Sequence, residues 1–271
     1  MNNKKPVALV TGASSGIGAA TAKRLLAAGY AVYGTSRRGG MAASQRSLPM
    51  LALDVTEDAS VNAAINELMR LEGRIDLLVN NAGFGLSPAA AEESSMAQVR
   101  ALFETNVFGL IRVSNAVLPI MRAQRSGRIL NIGSGLGFIP APYNAHYAAT
   151  KHAIEGYSES LDHEVRDFGI RVAVIEPGVT RTMFDASTFA PDLPLAAYDV
   201  SRAKYLAAYE RAMSAADNPE SVAETIMRAA SEKMPRQRYP SGKVARQGDF
   251  ARRFLPRSLF DKMLHKQFGL G

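Results

Sequence analysis

Residues 6–28 read PVALVTGASSGIGAATAKRLLAA. Pro6 to Val10 is a short β-rich run that stops at Thr11-Gly12, and a helical pattern follows from Ala19 to Ala28. Strand, glycine turn and helix in that order make a phosphate-binding context. Gly12 permits the tight turn, Gly16 lets a pyrophosphate approach the backbone, and Gly18 lets the helix pack on the strand. Ser14, Ser15 and Ile17 fill the rest of the turn. An anion there would rest on the helix N-terminus, with its free N–H groups and favourable dipole. The plainer alternative is an ordinary glycine turn, and the flanking strand and helix argue against it.

The same alternation continues outward. Tyr30–Thr35 reads as a second strand, followed by Ser36-Arg37-Arg38. A site selective for NAD carries an acidic residue in this window, on the adenine ribose, whereas an arginine pairs with a 2′-phosphate. Ser36 and Arg37 therefore favour NADP over NAD. Strands are expected at Met50–Asp54, closing on Asp54-Val55, and at Ile75–Val79, running into Asn80-Asn81-Ala82-Gly83. Further strands are expected at Arg128–Ile132 and at Ile170–Glu176, the last ending in Pro177-Gly178-Val179-Thr180. Helical patterns fall at Glu57–Leu71, at Ser95–Ala123 with Asn106 in its middle, and at His146–Phe168. Continuous strand–helix alternation from Val7 to about Glu176 predicts an α/β fold, a doubly wound parallel sheet with helices on both faces. Residues 181–195 hold Met183, Phe184 and Phe189 among prolines and polar residues, so 181–216 is expected to act as a substrate loop or mobile lid. No linker divides the chain, and residues 1–271 are expected to be one domain.

Residues 133–151 read GSGLGFIPAPYNAHYAATK. Ser134 lies just past a strand, where open α/β sheets place their ligands. Tyr147 and Lys151 are four apart, on one face if the segment is helical. A free phenol titrates near ~10, and a neighbouring ammonium is expected to pull that down toward neutral pH. Ser134 can then donate to a carbonyl oxygen while Tyr147 protonates it. Leu136, Phe138, Tyr143, Met183 and Phe184 flank this site and suggest an apolar carbonyl or alcohol as substrate.

Composition narrows the classes. Of 271 residues 47% are hydrophobic, enough for a large core, and no cysteine is present, which excludes disulfides and thiolate chemistry. The four histidines form no plausible ligand cluster, so no metal site is expected. The net charge of +7 is concentrated from Lys233 onward, with ten Lys/Arg against two Asp/Glu, so a nucleic-acid-binding body is not expected. The chain opens without a secretory signal and has no bilayer-length apolar stretch; a cytoplasmic protein is the expectation.

Taken together, Thr11-Gly12-(x)3-Gly16-Ile17-Gly18, Asn80-Asn81-Ala82-Gly83, Asn106, Ser134, Tyr147-(x)3-Lys151 and Pro177-Gly178-(x)-Thr180 resemble the short-chain dehydrogenase/reductase family, in its shorter single-domain branch. The resemblance runs from about Pro6 to Thr180. It implies a Rossmann-like fold with Tyr147 as general acid/base, Lys151 lowering its pKa and holding the nicotinamide ribose, and Ser134 orienting the carbonyl. Asn106 would hold a relay water. Asn81, with Ala82 and Gly83, would seat the cofactor and brace the sheet. Asp54 and Val55 would lie at the adenine, and Thr180, after Pro177 and Gly178, at the nicotinamide amide. A homodimer or homotetramer through the helices at 95–123 and 146–168 is implied as well. A cofactor-sensing protein without catalysis is the competing class; it would be expected to have lost Tyr147, Lys151 or Ser134, and all three are present.

Residues 243–271 form a basic extension. Apolar residues from Ser258 to Phe268 fall at helical spacing, and Pro256 separates them from an earlier helix. Three readings compete: a cap on the substrate pocket or a subunit interface, a peripheral contact with an anionic membrane, and a solvated extension.

Overall fold

Strand β1 (Val7–Val10) is buried at all four positions because its side chains alternate between two packed layers. Val7 and Leu9 point into one, Ala8 and Val10 into the other. The computed structural model describes residues 5–39, 48–182, 184 and 188–270. In chain order β1 is followed by α1 (Gly16–Ala27), β2 (Ala31–Ser36), β3 (Met50–Ala52), α2 (Asp58–Glu72), β4 (Leu77–Asn80), α3 (Met96–Phe103) and α4 (Gly109–Gln124). Then come β5 (Gly127–Ile132), α5 (Ala145–Val165), β6 (Ile170–Pro177), α6 (Asp199–Ser214), α7 (Pro219–Ser231), β7 (Arg238–Ser241), α8 (Lys243–Phe254) and α9 (Arg257–Gln267). The expected strands and helices are all present, with ends displaced by up to three residues. The strand at 50–54 stops at Ala52, which leaves Asp54 free at the sheet edge.

The seven strands run parallel in the order β3-β2-β1-β4-β5-β6-β7. One layer packs α2, α4 and α5 on the sheet through Val61, Leu68, Val113, Val117 and Leu161. The other packs α1 and α7 through Leu25, Val222 and Ile226. This is the doubly wound arrangement, and its switch point lies between β1 and β4. The long helix expected at 95–123 is continuous but not uniform: residues Glu104–Phe108 form a π-helical turn between α3 and α4. Such a turn inserts one extra residue and turns side chains that a regular helix would leave elsewhere; here it buries Asn106. Among the described residues no helix is long and apolar enough to cross a membrane.

The far end of α5 is held by one buried carboxylate. Asp162 accepts from Val172 N at 2.8 Å and Arg171 Nε at 2.9 Å, and pairs with Arg166. Burial alone would raise its pKa, but the bonds from Arg171, Val172 and Arg166 outweigh it and hold the carboxyl down at about 2. The folded value lies below the unfolded one, so this contribution is complete above about pH 4 and is lost as pH falls toward about 2. Asp162→Asn is expected to destabilise the protein by about 3 kcal/mol at neutral pH. The loss relative to the parent should shrink in acid, which thermal melts across pH would check.

Candidate active site

The glycine turn occupies the C-terminal edge of β1. Gly12 and Gly16 sit at φ +63° and +55°, the left-handed region that other residues rarely enter. Thr11 and Asn81 lock the turn to the neighbouring strand. Asn81 Nδ2 donates to Thr11 O at 2.9 Å and to Gly12 O at 3.1 Å, while Thr11 Oγ1 accepts from the N–H groups of Asn81 and Ala82. The bracing role implied for Asn81 is therefore visible in its bonds. Helix α1 begins immediately after. Its first turn carries no acidic residue, and the Ser15 side chain does not cap it, so neither competes for the leading N–H groups. Ser14 and Ser15 are exposed, and Ile17 packs inward on the α1/α7 layer. These features fit a dinucleotide's pyrophosphate.

The end of β2 lies against the same turn, with Ala13 N donating to Thr35 O at 3.0 Å. This brings Ser36 and the exposed Arg37 beside the glycine turn. Asp54 closes the corner. Its Oδ1 accepts from Thr56 N and Thr56 Oγ1, and these bonds, with the charges of Arg37 and Arg112, hold the carboxyl below its ordinary range against the effect of burial. Val55 is buried against Gly109.

Ser134 follows β5, and Tyr147 and Lys151 come from the first two turns of α5. Ser134 Oγ accepts from Leu136 N at 3.1 Å and lies close enough to the Tyr147 hydroxyl to lower its pKa. Lys151 Nζ donates to Ile132 O at 2.9 Å and lies 5.5 Å from the centre of the Tyr147 ring. The three side chains expected to act together are thus together.

The electrostatics differ from expectation. Burial raises the Tyr147 phenol, and the bond with Ser134 opposes it only in part. Burial also lowers Lys151 to about 8, against the charge of Glu155. The lysine was expected to lower the phenol. Instead its ammonium sits over the ring and against a backbone carbonyl, in a site that penalises its own charge. Asn106, brought in by the π-helical turn, accepts from Phe84 N at 3.0 Å and donates to Phe84 O at 2.9 Å. It clamps the segment after β4.

Other expected residues divide. Phe184 lies 5.8 Å from the Tyr147 ring, centre to centre, and Leu136 follows Ser134 closely. Met183 lies outside the described residues. Tyr143 does not line the site as a free wall: its hydroxyl bonds Ser201 Oγ and its ring packs with Tyr198 and Tyr205, seating α6. Phe138 is buried toward α8. Pro177 ends β6, and Gly178 N donates to Ser241 O at 3.0 Å. Thr180 pairs with Asp217 across a short bridge and donates to Gly178 O, whereas Thr182 sits over the glycine turn, 3.3 Å from where a Cβ on Gly16 would lie. Thr182 thus faces the proposed phosphate site. Phe84 and Tyr147 pack against one cluster that includes Leu86, and Phe84 and Leu86 were not singled out as site residues; their signal is their place just after the Asn81-Ala82-Gly83 turn.

The expected lid is tied down at its far end. Phe189 stacks edge-on against Phe84 at 5.1 Å, and Phe189 N donates to Gly85 O. Buried Glu93 accepts from Leu195 N and from Arg202, both at 2.7 Å. The basic extension reaches the site from outside. Ala245, Gly248 and Ala251 form the small inner face of α8, and Ile139 fills the space above Gly248 so closely that an added Cβ would lie 2.2 Å from its Cδ1. Beyond α9, Phe268 meets Tyr205 of α6 at 6.0 Å. The extension thus spans the Ser134–Tyr147 loop and the lid helix.

The sequence profile of the short chain dehydrogenase family matches residues 6–192. The 3-ketodihydrosphingosine reductase of Bacteroides thetaiotaomicron is 43% identical over 66% of this chain and 65% of that protein. The 17-beta-hydroxysteroid dehydrogenase type 1 of Mus musculus is 38% identical over 86% of this chain and 72% of that protein. Among solved structures, a short-chain dehydrogenase from Streptomyces avermitilis superposes with a TM-score of 0.82 at 31% identity, each chain fully covered. ElxO with NADP bound superposes with a TM-score of 0.71 at 26% identity, over 87% of this chain and 96% of that one.

Proposed function

The chain belongs to the short-chain dehydrogenase/reductase family, and on that premise we propose that it moves a hydride between NADP(H) and an apolar carbonyl or alcohol, with Tyr147 as general acid/base. The observation that carries the proposal is the grouping of Ser134 and Tyr147 with Lys151 beside the ring, at the strand ends next to the glycine turn. Bound nicotinamide would supply or accept the hydride. The backbone from Gly12 to Gly18 would hold the pyrophosphate, Ser36 and Arg37 the 2′-phosphate, and Asp54 with Val55 the adenine. Asn81, Ala82 and Gly83 would wall the site, Lys151 would hold the ribose, Thr182 would lie at the pyrophosphate, and Pro177, Gly178 and Thr180 would border the nicotinamide. In the reducing direction Ser134 donates to the substrate oxygen and Tyr147 protonates it; in the oxidising direction Tyr147 takes that proton back.

An apolar substrate is supported by Phe84, Leu86 and Phe184 around Tyr147 and by the lipid ketone and steroid named for two relatives. NADP is supported by Arg37 and the absence of an acid after β2. Arg37→Ala is the test. Calorimetric titration should show NADPH affinity falling by about 10–100-fold with NADH affinity nearly unchanged, the loss expected for a charge-assisted phosphate contact. Equal losses for both cofactors would remove Arg37 from the phosphate site.

A homodimer or homotetramer through α3, α4 and α5 accords with Phe108, half exposed between α3 and α4. For the basic extension, the inner face of α8 supports the capping role. Its outer face supports a second, peripheral contact with an anionic membrane: Phe250 and Phe254 are 64% and 62% exposed, 4.7 Å apart, and Arg253 lies over Phe254. Replacing both by serine is expected to cut binding to anionic vesicles at least about tenfold, from the apolar area removed. Sedimentation with the vesicles would measure this; undiminished binding would exclude this face.

A further inference from the structure

Behind the Ser134–Tyr147–Lys151 cluster lies a second group of ionisable residues that the mechanism does not use. Glu155 stands one helical turn after Lys151 and is 3% exposed; Glu176, near the end of β6, is 0% exposed. Each bears directly on the other's protonation. Arg238 on β7 lies 3.5 Å from each and bonds Glu159 Oε1 more closely, at 2.6 Å. Among the described residues no other donor reaches Glu155 Oε1, Glu155 Oε2 or Glu176 Oε2.

Two buried carboxylates cannot stand side by side without donors. The groups facing them are Lys151 and Glu159 on α5, Arg238 on β7 and Asp249 on α8. With both carboxyls ionised, Lys151 and Arg238 face at least three negative charges. One proton on the pair gives the orphaned oxygens a donor and leaves Lys151 and Arg238 facing Glu159, Asp249 and a single carboxylate in place of two. Burial raises both carboxyls. Glu176 is raised further by the charges of Glu155 and Asp249 against that of Arg238, whereas Arg238 and Lys151 draw Glu155 back down. The position of Glu155 matters for the site. A Cβ on Gly133 or Gly137 would lie 2.8 or 2.9 Å from its Oε1, so its carboxyl is wedged behind the loop that carries Ser134.

We propose that Glu155 and Glu176 hold one proton between them, and that the remaining charge, carried on Glu155, keeps Lys151 an ammonium behind the Ser134 loop. Glu155 is thus a positioning residue for Lys151, and Glu176 is its protonated support. The claim about Lys151 rests on the cofactor reading above; the shared proton does not.

Thermal melts of the full chain at about pH 6 and about pH 9 test the proton. Raised carboxyls contribute stability that is lost as pH rises through their folded values, so the parent should melt lower at the alkaline pH. Glu176→Gln and Glu155→Gln each leave one carboxyl and remove the second ionisation, so either should flatten that fall. Two variants that fall in parallel with the parent would overturn the shared proton. Titration with NADP+ across the same range tests the charge. Parent affinity should drop about tenfold as Lys151 loses its proton near about 8. Glu155→Gln should move that midpoint down by about one pH unit, while Glu176→Gln, an amide in place of a neutral acid, leaves it unmoved. Equal shifts in both variants, or none, would overturn the positioning role. A chain that binds no NADP+ at any pH would contradict the cofactor reading, and the melts would still decide the shared proton.

Discussion

Tyr147→Phe is expected to lower turnover at least about 10³-fold while NADPH affinity stays within about threefold of the parent. The ring packs against the cluster of Leu86, Ala89 and Leu102, and phenylalanine preserves all of that contact. The hydroxyl alone is lost, together with its interaction with Ser134. The large effect follows from the electrostatics. Burial favours the protonated phenol and opposes the phenolate, so the group is well suited to give up its proton only to an oxygen that is gaining charge in place. Lys151 and Ser134 can favour that transfer but cannot replace the proton. Stopped-flow loss of NADPH signal with an apolar ketone, beside calorimetry, separates the two quantities. A Phe variant within tenfold of parent turnover would remove Tyr147 from the chemistry.

Gly18→Val is expected to weaken NADPH binding by more than about 100-fold and to lower thermal stability. A Cβ at this position would lie 2.4 Å from Gly12 O and 2.6 Å from Asn81 Nδ2. Neither neighbour can yield without loss: the first is the backbone of the turn, and the second is the amide that ties the turn to β4. Overpacking of this kind costs about 1–3 kcal/mol in stability. The larger effect on binding follows because the displaced atoms are those that shape the anion site. An unchanged NADPH affinity in a folded variant would mean that the glycine turn does not hold the phosphates.

Much of the fold was legible because its signals are local. The run Val7–Val10 before Gly12, the alternation of apolar strands with periodic helices, and Pro256 between two apolar helical stretches each report on their own segment. The joining of Ser134, Tyr147 and Lys151 was legible for the same reason: a strand end and two successive helical turns fix their relative places. What was not legible depends on distant packing. Thr180 and Thr182 both follow Pro177-Gly178, and only the bridge to Asp217 decides which of them turns toward Gly16. Tyr143 looked like a pocket wall until α6 was placed over it. The direction of the Tyr147 shift depends on burial from several elements, which spacing cannot convey. The π-helical turn at Asn106 left a polar residue in a helical pattern as its only trace.

The central claim, an NADP-linked oxidoreductase site built on the glycine turn and Arg37, is tested most directly by titrating the unaltered protein with NADPH and NADH side by side. The account predicts that both bind at one site and that NADPH binds at least about tenfold tighter, the contribution of one charge-assisted phosphate contact. Tighter binding of NADH would contradict the role given to Ser36 and Arg37, and binding of neither would contradict the site itself.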